Sequence, residues 1–227
     1  MLAIRNSGVS FLGKLRSLPF NTAPMTPDAL SKLLRESARI KIQLAEEQVG
    51  AMVDAIEAVV AALARGHCVF FFGNGGSAAD SQHLAAELVG RFTRERRPLP
   101  ALALTTDTSI LTSISNDYGF EEIFRRQIRA LGRAGDVAIG LSTSGNSANV
   151  LAAIDAARAG GLFTIVLTGQ SGGALASRAD VCLRVPSQDT ARIQESHITI
   201  GHLICQGVDE ALAEGRIVTA ASAGLRD

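Results

Sequence analysis

Two titratable side chains four residues apart, His83 and Glu87, follow a glycine-rich stretch, Gly73-Asn74-Gly75-Gly76-Ser77-Ala78-Ala79-Asp80. On a helix that spacing puts both on one face, with Asp80 three residues before His83 on the same side. A carboxylate beside an imidazole can move protons, although the same pair is common on solvated helices. Further along, Ser142-Thr143-Ser144-Gly145-Asn146-Ser147 gathers four hydroxyls in six residues. Hydroxyls and backbone N–H groups around a glycine can hold a phosphate without any lysine. The competing use of such residues is to cap a helix. A third polar stretch, Ser115-Asn116-Asp117-Tyr118-Gly119, reads as a turn whose amide and carboxylate also suit the hydroxyls of a ligand.

These groups need elements to aim them. Apolar runs at 68–72, 101–104, 137–141, 163–167 and 181–185 are hydrophobic on both alternations, as strands buried on both faces must be. Each is followed by a polar or glycine-rich turn and then a helical pattern, the order of a parallel sheet wrapped by helices. The expected architecture is therefore α/β, a three-layer α/β/α sandwich with a five-stranded parallel sheet. Helical spacing of Leu30, Leu33 and Leu34, then Val53, Ile56, Val59 and Leu63, predicts two helices between Pro27 and Arg65. One long terminal helix is predicted from Asp189 to Glu214. The glycine and serine stretches both fall where a strand ends and a helix begins, and ligands of open parallel sheets gather there. Neither has the Gly-Lys-Ser/Thr ending of a Walker loop or the Gly-x-Gly-x-x-Gly order of dinucleotide binders, which turns the reading away from nucleotide cofactors.

At 227 residues the chain can bury one sizeable core, and a single domain over 28–214 is expected between tails at 1–27 and 215–227. The 22 Lys and Arg balance 22 Asp and Glu, so no net charge draws the chain to nucleic acid or to a membrane surface. Every apolar run is broken before reaching the length of a membrane span. Three scattered cysteines with no Cys-x-x-Cys pair fit a reducing compartment, and Cys68 and Cys182 read as small core residues. The first residues, with Arg5, Lys14 and Arg16 but no acid, lack a clean secretory signal, and a poorly ordered tail or translation from Met25 is the simpler expectation.

On the terminal helix Gln194 and His202 stand eight residues apart, about 12 Å of rise and roughly 80° of rotation, so spacing alone does not bring them together. There is no compact metal motif. His197 is expected to be packed away from His202, and His67 opens a strand with no evident partner.

The residues 73–80, Gln82-His83 with Glu87, Thr105-Thr106-Asp107-Thr108-Ser109, Asn116-Asp117-Tyr118-Gly119, 142–147 and Arg192-Ile193-Gln194-Glu195 together resemble the sedoheptulose 7-phosphate isomerases of the sugar-isomerase (SIS) domain superfamily. The resemblance runs over residues 28–212. It implies an aldose–ketose isomerase that turns D-sedoheptulose 7-phosphate into D-glycero-D-manno-heptose 7-phosphate through an enediol, the first step toward ADP- or GDP-heptose precursors. By that resemblance Ser142, Thr143, Ser144 and Ser147 bind phosphate, while Asn74, Gly75, Gly76, Ser77, Glu87, Asn116, Asp117 and Gln194 hold the sugar. Glu87 and His202 become the acid/base pair. The family also implies one zinc ion held by His83, Glu87, Gln194 and His202, and a cytoplasmic homotetramer with active sites at subunit interfaces. That sharing between subunits is the expected source of the proximity that helix spacing does not provide.

Two other readings belong beside it. A non-catalytic SIS tetramer resembling the replication-initiator-associating protein keeps the fold and the serine loop but not the carboxylate found here as Glu87. A sugar-phosphate-sensing regulator would need a signalling segment, and no helix-turn-helix or basic stretch is present.

Overall fold

The computed structural model describes residues 25–217. The two expected tails lie mostly outside those bounds, and so does the stretch that separates a start at Met1 from one at Met25. The chain parts into two compact units between Glu36 and Ser37, within α1 (Pro27–Glu47). The described part of the first unit is the opening of that helix, where the Thr26 hydroxyl accepts the Ala29 N–H at 3.2 Å and satisfies a donor that helix starts leave free.

In the second unit α2 (Val49–Ala64) leads into β1 (Val69–Gly73), α3 (Gly76–Val89), β2 (Ala101–Ala103) and α4 (Thr108–Tyr118). After a short 3-10 turn come α5 (Ile123–Leu131), β3 (Val137–Ser142), α6 (Ala148–Ala159), β4 (Phe163–Thr168), β5 (Val181–Arg184) and α7 (Thr190–Ala213). The five strands are parallel in the order β2-β1-β3-β4-β5. The chain starts at β1, steps outward to β2, then returns to the other side at β3. That reversal opens a crevice beyond the carboxyl ends of β1 and β3, the usual ligand site of such sheets.

The pleat divides β1 between two cores, as the double-sided apolar pattern predicts. Val69 and Phe71 pack with Leu63 of α2, Leu84 and Leu88 of α3, and Val208 of α7. Phe70 and Phe72 face the other layer, with Phe124 and Ile128 of α5 and Val150 and Ile154 of α6. The sandwich therefore has its expected three layers, and each strand begins and ends within a residue of its predicted bounds. Among the described residues no helix is long and apolar enough to cross a membrane.

The terminal helix starts at Asp189, whose carboxylate accepts the N–H of Ala191 at 2.8 Å and of Arg192 at 3.3 Å. Two glycines let α7 come close to its neighbours. A Cβ on Gly201 would lie 2.4 Å from Leu84 Cδ2 of α3, and one on Gly207 2.4 Å from Ile56 Cγ2 of α2. Leu84 is 1% exposed, so it has nowhere to turn. Gly201→Val should therefore cost about 1–3 kcal/mol through overpacking, partly offset by better helix propensity. Urea denaturation checks this, and wild-type stability in that variant would mean that α3 and α7 are not in contact there.

Candidate active site

The crevice between β1 and β3 is built on bare backbone. A Cβ on Gly73, where β1 ends, would lie 2.7 Å from Ser77 Cβ and 2.8 Å from the Leu141 carbonyl. Gly75 then takes φ +56°, in the left-handed region, and α3 begins without a side-chain cap. The N–H groups of Ser77 and Ala78 are instead taken up by the Asn74 and Gly75 carbonyls, each at 3.0 Å. Gly76 has no room for a side chain, because a Cβ would lie 2.4 Å from Gln194 Nε2. Gln194 thus lies against the glycine loop from α7.

The serine loop continues β3. The Ser142 hydroxyl, at the buried strand end, is 2.9 Å from Ser147 Oγ and 3.4 Å from Ser144 Oγ. Ser147 occupies the N-cap position of α6, yet its side chain makes no capping bond. Helix capping therefore does not account for this hydroxyl. The loop is held by other atoms: Gly145 at φ +67° presses so close to Gly172 that a Cβ would meet the Gly172 carbonyl, and Asn146 Oδ1 accepts the Ala174 N–H at 2.9 Å. Thr143 and Ser144 border an open cleft of about 660 Å³ whose other walls include Gln170, Ser187, Gln188 and Thr190. The two loops are joined by Asn74 and Asn149, whose amides each donate to the other's oxygen, at 2.9 and 2.8 Å. Asn149 is 2% exposed. An amide two residues past a serine-rich loop is the only sequence signal that pointed to it.

His83, Glu87 and His202 converge. His83 Nε2 lies 2.9 Å from His202 Nε2 and 3.3 Å from Glu87 Oε1, and one ligand atom from each residue falls within 4.8 Å of the others. The ring of Phe92 stacks on His202 at a centroid distance of 5.5 Å. Burial raises the pKa of Asp80, while His83 and His202 act the other way. The three groups meet through contact of α3 with α7 inside one chain. Glu87 and His202 therefore come together without a second subunit.

Other expectations change. Residues 115–118 are the last turn of α4 rather than a free turn, closed by Gly119 as its C-cap. Asn116 and Asp117 are exposed there, and Asn116 Nδ2 donates to Asp117 Oδ1 at 2.8 Å. His67 does have a partner, Asp136, with Nδ1 3.3 Å from its Oδ1. Burial pushes the thiols of Cys68 up to about 11 and of Cys205 to about 12, and raises that of Cys182. None is primed as a thiolate.

The SIS domain family matches residues 33–169. The phosphoheptose isomerase of Aquifex aeolicus is 54% identical over 187 residues, 82% of this chain and 98% of the relative. That of Roseiflexus is 56% identical, covering 80% and 92%. The solved structure of the Neisseria gonorrhoeae phosphoheptose isomerase superposes with a TM-score of 0.77 at 47% identity, over 81% of this chain and 98% of that one. The chain belongs to the phosphoheptose isomerase family.

In this phosphoheptose isomerase relative α7 is seated on the sheet by His197. The ring is fully buried, with Nε2 3.2 Å from the Thr168 carbonyl at the end of β4 and Nδ1 without a hydrogen-bond partner. Burial pushes its pKa down to about 4 against an ordinary 6.5, with the Thr168 contact opposing. Between those values the unfolded chain takes a proton that the folded one refuses, so stability falls as pH drops through this window. Over about pH 7 to 4.5 the loss from this group should be about 2–3 kcal/mol. His197→Leu should flatten the stability-versus-pH curve by that amount in urea denaturation. An unchanged slope would mean that His197 accepts a proton in place.

Proposed function

We propose that the chain interconverts sedoheptulose 7-phosphate and D-glycero-D-manno-heptose 7-phosphate through an enediol. The observation that carries this reading is the meeting of Glu87 with two imidazoles on α3 and α7. Isomerisation requires a base to take a proton from C1 of the ketose and return it to C2, while a proton leaves O1 and one is gained by O2. Glu87 is the carbon base, and His202 moves the protons between oxygens. The phosphate sits on C7, at the far end from the reacting carbons. Anchor and acid/base pair must then be separate structures, and the hydroxyls of Ser142, Thr143, Ser144 and Ser147 serve as the anchor. Asn74, Gly75, Gly76, Ser77, Gln194, Asn116 and Asp117 are assigned to the sugar.

The donor set also fits a zinc ion. Tetrahedral zinc with bonds of about 2.0–2.1 Å keeps its ligand atoms roughly 3.3 Å apart, close to the 2.9 and 3.3 Å separations among His83, His202 and Glu87. Gln194 is the fourth ligand in this reading. Held there, a zinc ion would supply positive charge beside the sugar oxygens. A metal on Glu87 Oε1 and His202 Nε2 would leave Glu87 Oε2 and His202 Nδ1 for the proton transfers.

A homotetramer with shared sites is supported by what surrounds the cluster. Val89, two residues past Glu87, and Leu203, next to His202, are 45% and 41% exposed. The α4 helix has no buried residue and leaves Tyr118 54% and Ile110 36% exposed. Further copies of the chain would cover these faces and bring Asn116 and Asp117 to a neighbouring site. Free, unprimed thiols fit the cytoplasm.

Purified protein should convert sedoheptulose 7-phosphate to the aldose, lose activity to a chelator and regain it with zinc. Glu87→Gln should lower kcat by about 10²–10⁴-fold, the usual worth of a general base, and leave phosphate-ester binding in place. Full activity in that variant overturns the mechanism. Ser144→Ala should instead raise KM by about 10–150-fold with little change in kcat, since a hydrogen bond to a charged group is worth about 1.5–3 kcal/mol and acts alike in ground and transition states. A pure kcat defect would remove Ser144 from the anchor.

A further inference from the structure

The connection after α3 contains a buried ion pair that the reaction does not use directly. Arg96 Nε donates to Asp209 Oδ1 at 3.0 Å, and the side chains are only 6% and 1% exposed. The rest of the guanidinium closes the end of α3. Nη2 donates to the Glu87 carbonyl at 2.7 Å, and Nη1 to those of Leu88 at 2.8 Å and Gly90 at 3.3 Å. The Glu87 and Leu88 carbonyls belong to the last turn and Gly90 is its C-cap, the helix has no N–H of its own to satisfy them, and a cation there also complements the helix dipole.

Capping explains a guanidinium at this point, but not its attachment to α7. Asp209 stands seven residues after His202, two turns on and about 20° around, so both face α3. The other oxygen of Asp209 accepts from the Thr93 N–H at 2.9 Å, the Thr93 hydroxyl at 3.0 Å and the Arg94 N–H at 3.1 Å. Those bonds fold the segment back over α7, and Phe92, the preceding residue, lays its ring on His202. One buried carboxylate thus refers to Glu87 through Arg96 and to His202 through Phe92.

We propose that Arg96 and Asp209 are positioning residues of the isomerase reaction, fixing how Glu87 faces His202, so that their loss lowers turnover rather than substrate binding. This rests on the acid/base roles given above. Misplacing a reacting group by about 1 Å can cost roughly a hundred-fold in rate.

The test uses full-length protein, with kcat and KM for sedoheptulose 7-phosphate and native-state amide exchange over residues 88–97. Arg96→Lys keeps the charge opposite Asp209, but one ammonium cannot serve the carboxylate and the carbonyls together. It should lower kcat by about 10–100-fold with KM within about three-fold, and speed exchange in that segment. Phe92→Leu leaves the ion pair intact and should lose about three- to ten-fold in kcat alone. It also keeps the test open should Asp209→Asn fail to fold. Replacing both partners at once, Arg96→Met with Asp209→Leu, strands no charge, and should fold yet show the same turnover defect. Folded Arg96→Lys protein with wild-type kcat, or with a KM defect alone, overturns the proposal, as does unaltered exchange over 88–97. If wild-type protein is inert on this sugar, it is the substrate reading that falls, and the exchange measurement still judges the clamp.

Discussion

The contact of α3 with α7 is the constraint on which the site depends. Glu87 and His202 come from distant parts of the chain, and they meet because two helices approach with almost nothing between them. Gly201 supplies the missing volume beside Leu84, one residue from His202 on one side and from His83 on the other. Around that point Leu84, Leu88, Ile204, Cys205 and Val208 are buried in one apolar cluster. Hydrophobic burial therefore supplies the force that holds two polar groups together, and the site is a by-product of core packing on that side of the sheet.

The loops proposed to hold the phosphate obey a different rule. No lysine or arginine lies within residues 73–80 or 142–147, and the whole chain carries no net charge. Attraction at long range is therefore weak, and an anion must be recognised at contact by hydroxyls and backbone N–H groups. Such groups work only if they are already aimed. Gly145 pressed against Gly172, Asn146 bound to Ala174 and the unused capping position of Ser147 give that aim. Apolar force positions the proposed acid/base pair, and local backbone geometry positions the proposed anchor.

This difference also decides what could be read from the sequence. The five strands were visible because burial on both faces leaves a local mark, a run such as Val69 to Phe72 with no polar alternate. Both loops were visible for the same reason, since glycine and hydroxyl residues cluster where a strand meets a helix. The meeting of His202 with His83 was not, because a rotation of roughly 80° between Gln194 and His202 says nothing about which face of α7 meets α3. Asn116 and Asp117 misled through composition: Asn and Asp with a Gly two residues on are turn formers, yet here they close a helix that Asp107 had opened by accepting the Ile110 N–H. Arg96 was hidden in Arg94-Glu95-Arg96-Arg97, where only the third charge is drawn inside. Its partner sits 113 residues away, and no local pattern encodes that.

Apolar packing alone would leave these elements free to slide by fractions of an ångström, which a proton transfer does not tolerate. The fold counters sliding with buried polar ties. Asp136 accepts the N–H groups of Cys68 at 2.9 Å and Arg133 at 2.8 Å, linking the starts of β1 and β3. Asn74 and Asn149 tie the loops at the other ends of the same two strands, so the crevice between them is held at both ends. The tie between α3 and α7 is the Arg96–Asp209 pair. Burying ions is a poor way to gain stability, for apolar residues of the same volume often do as well or better. A hydrogen-bonded pair is sensitive to direction where a methyl contact is not, and when every member is satisfied it favours one arrangement over its neighbours. These ties stand at the boundaries of the crevice and of the His83, Glu87 and His202 cluster, where errors in register would displace the groups proposed to move protons.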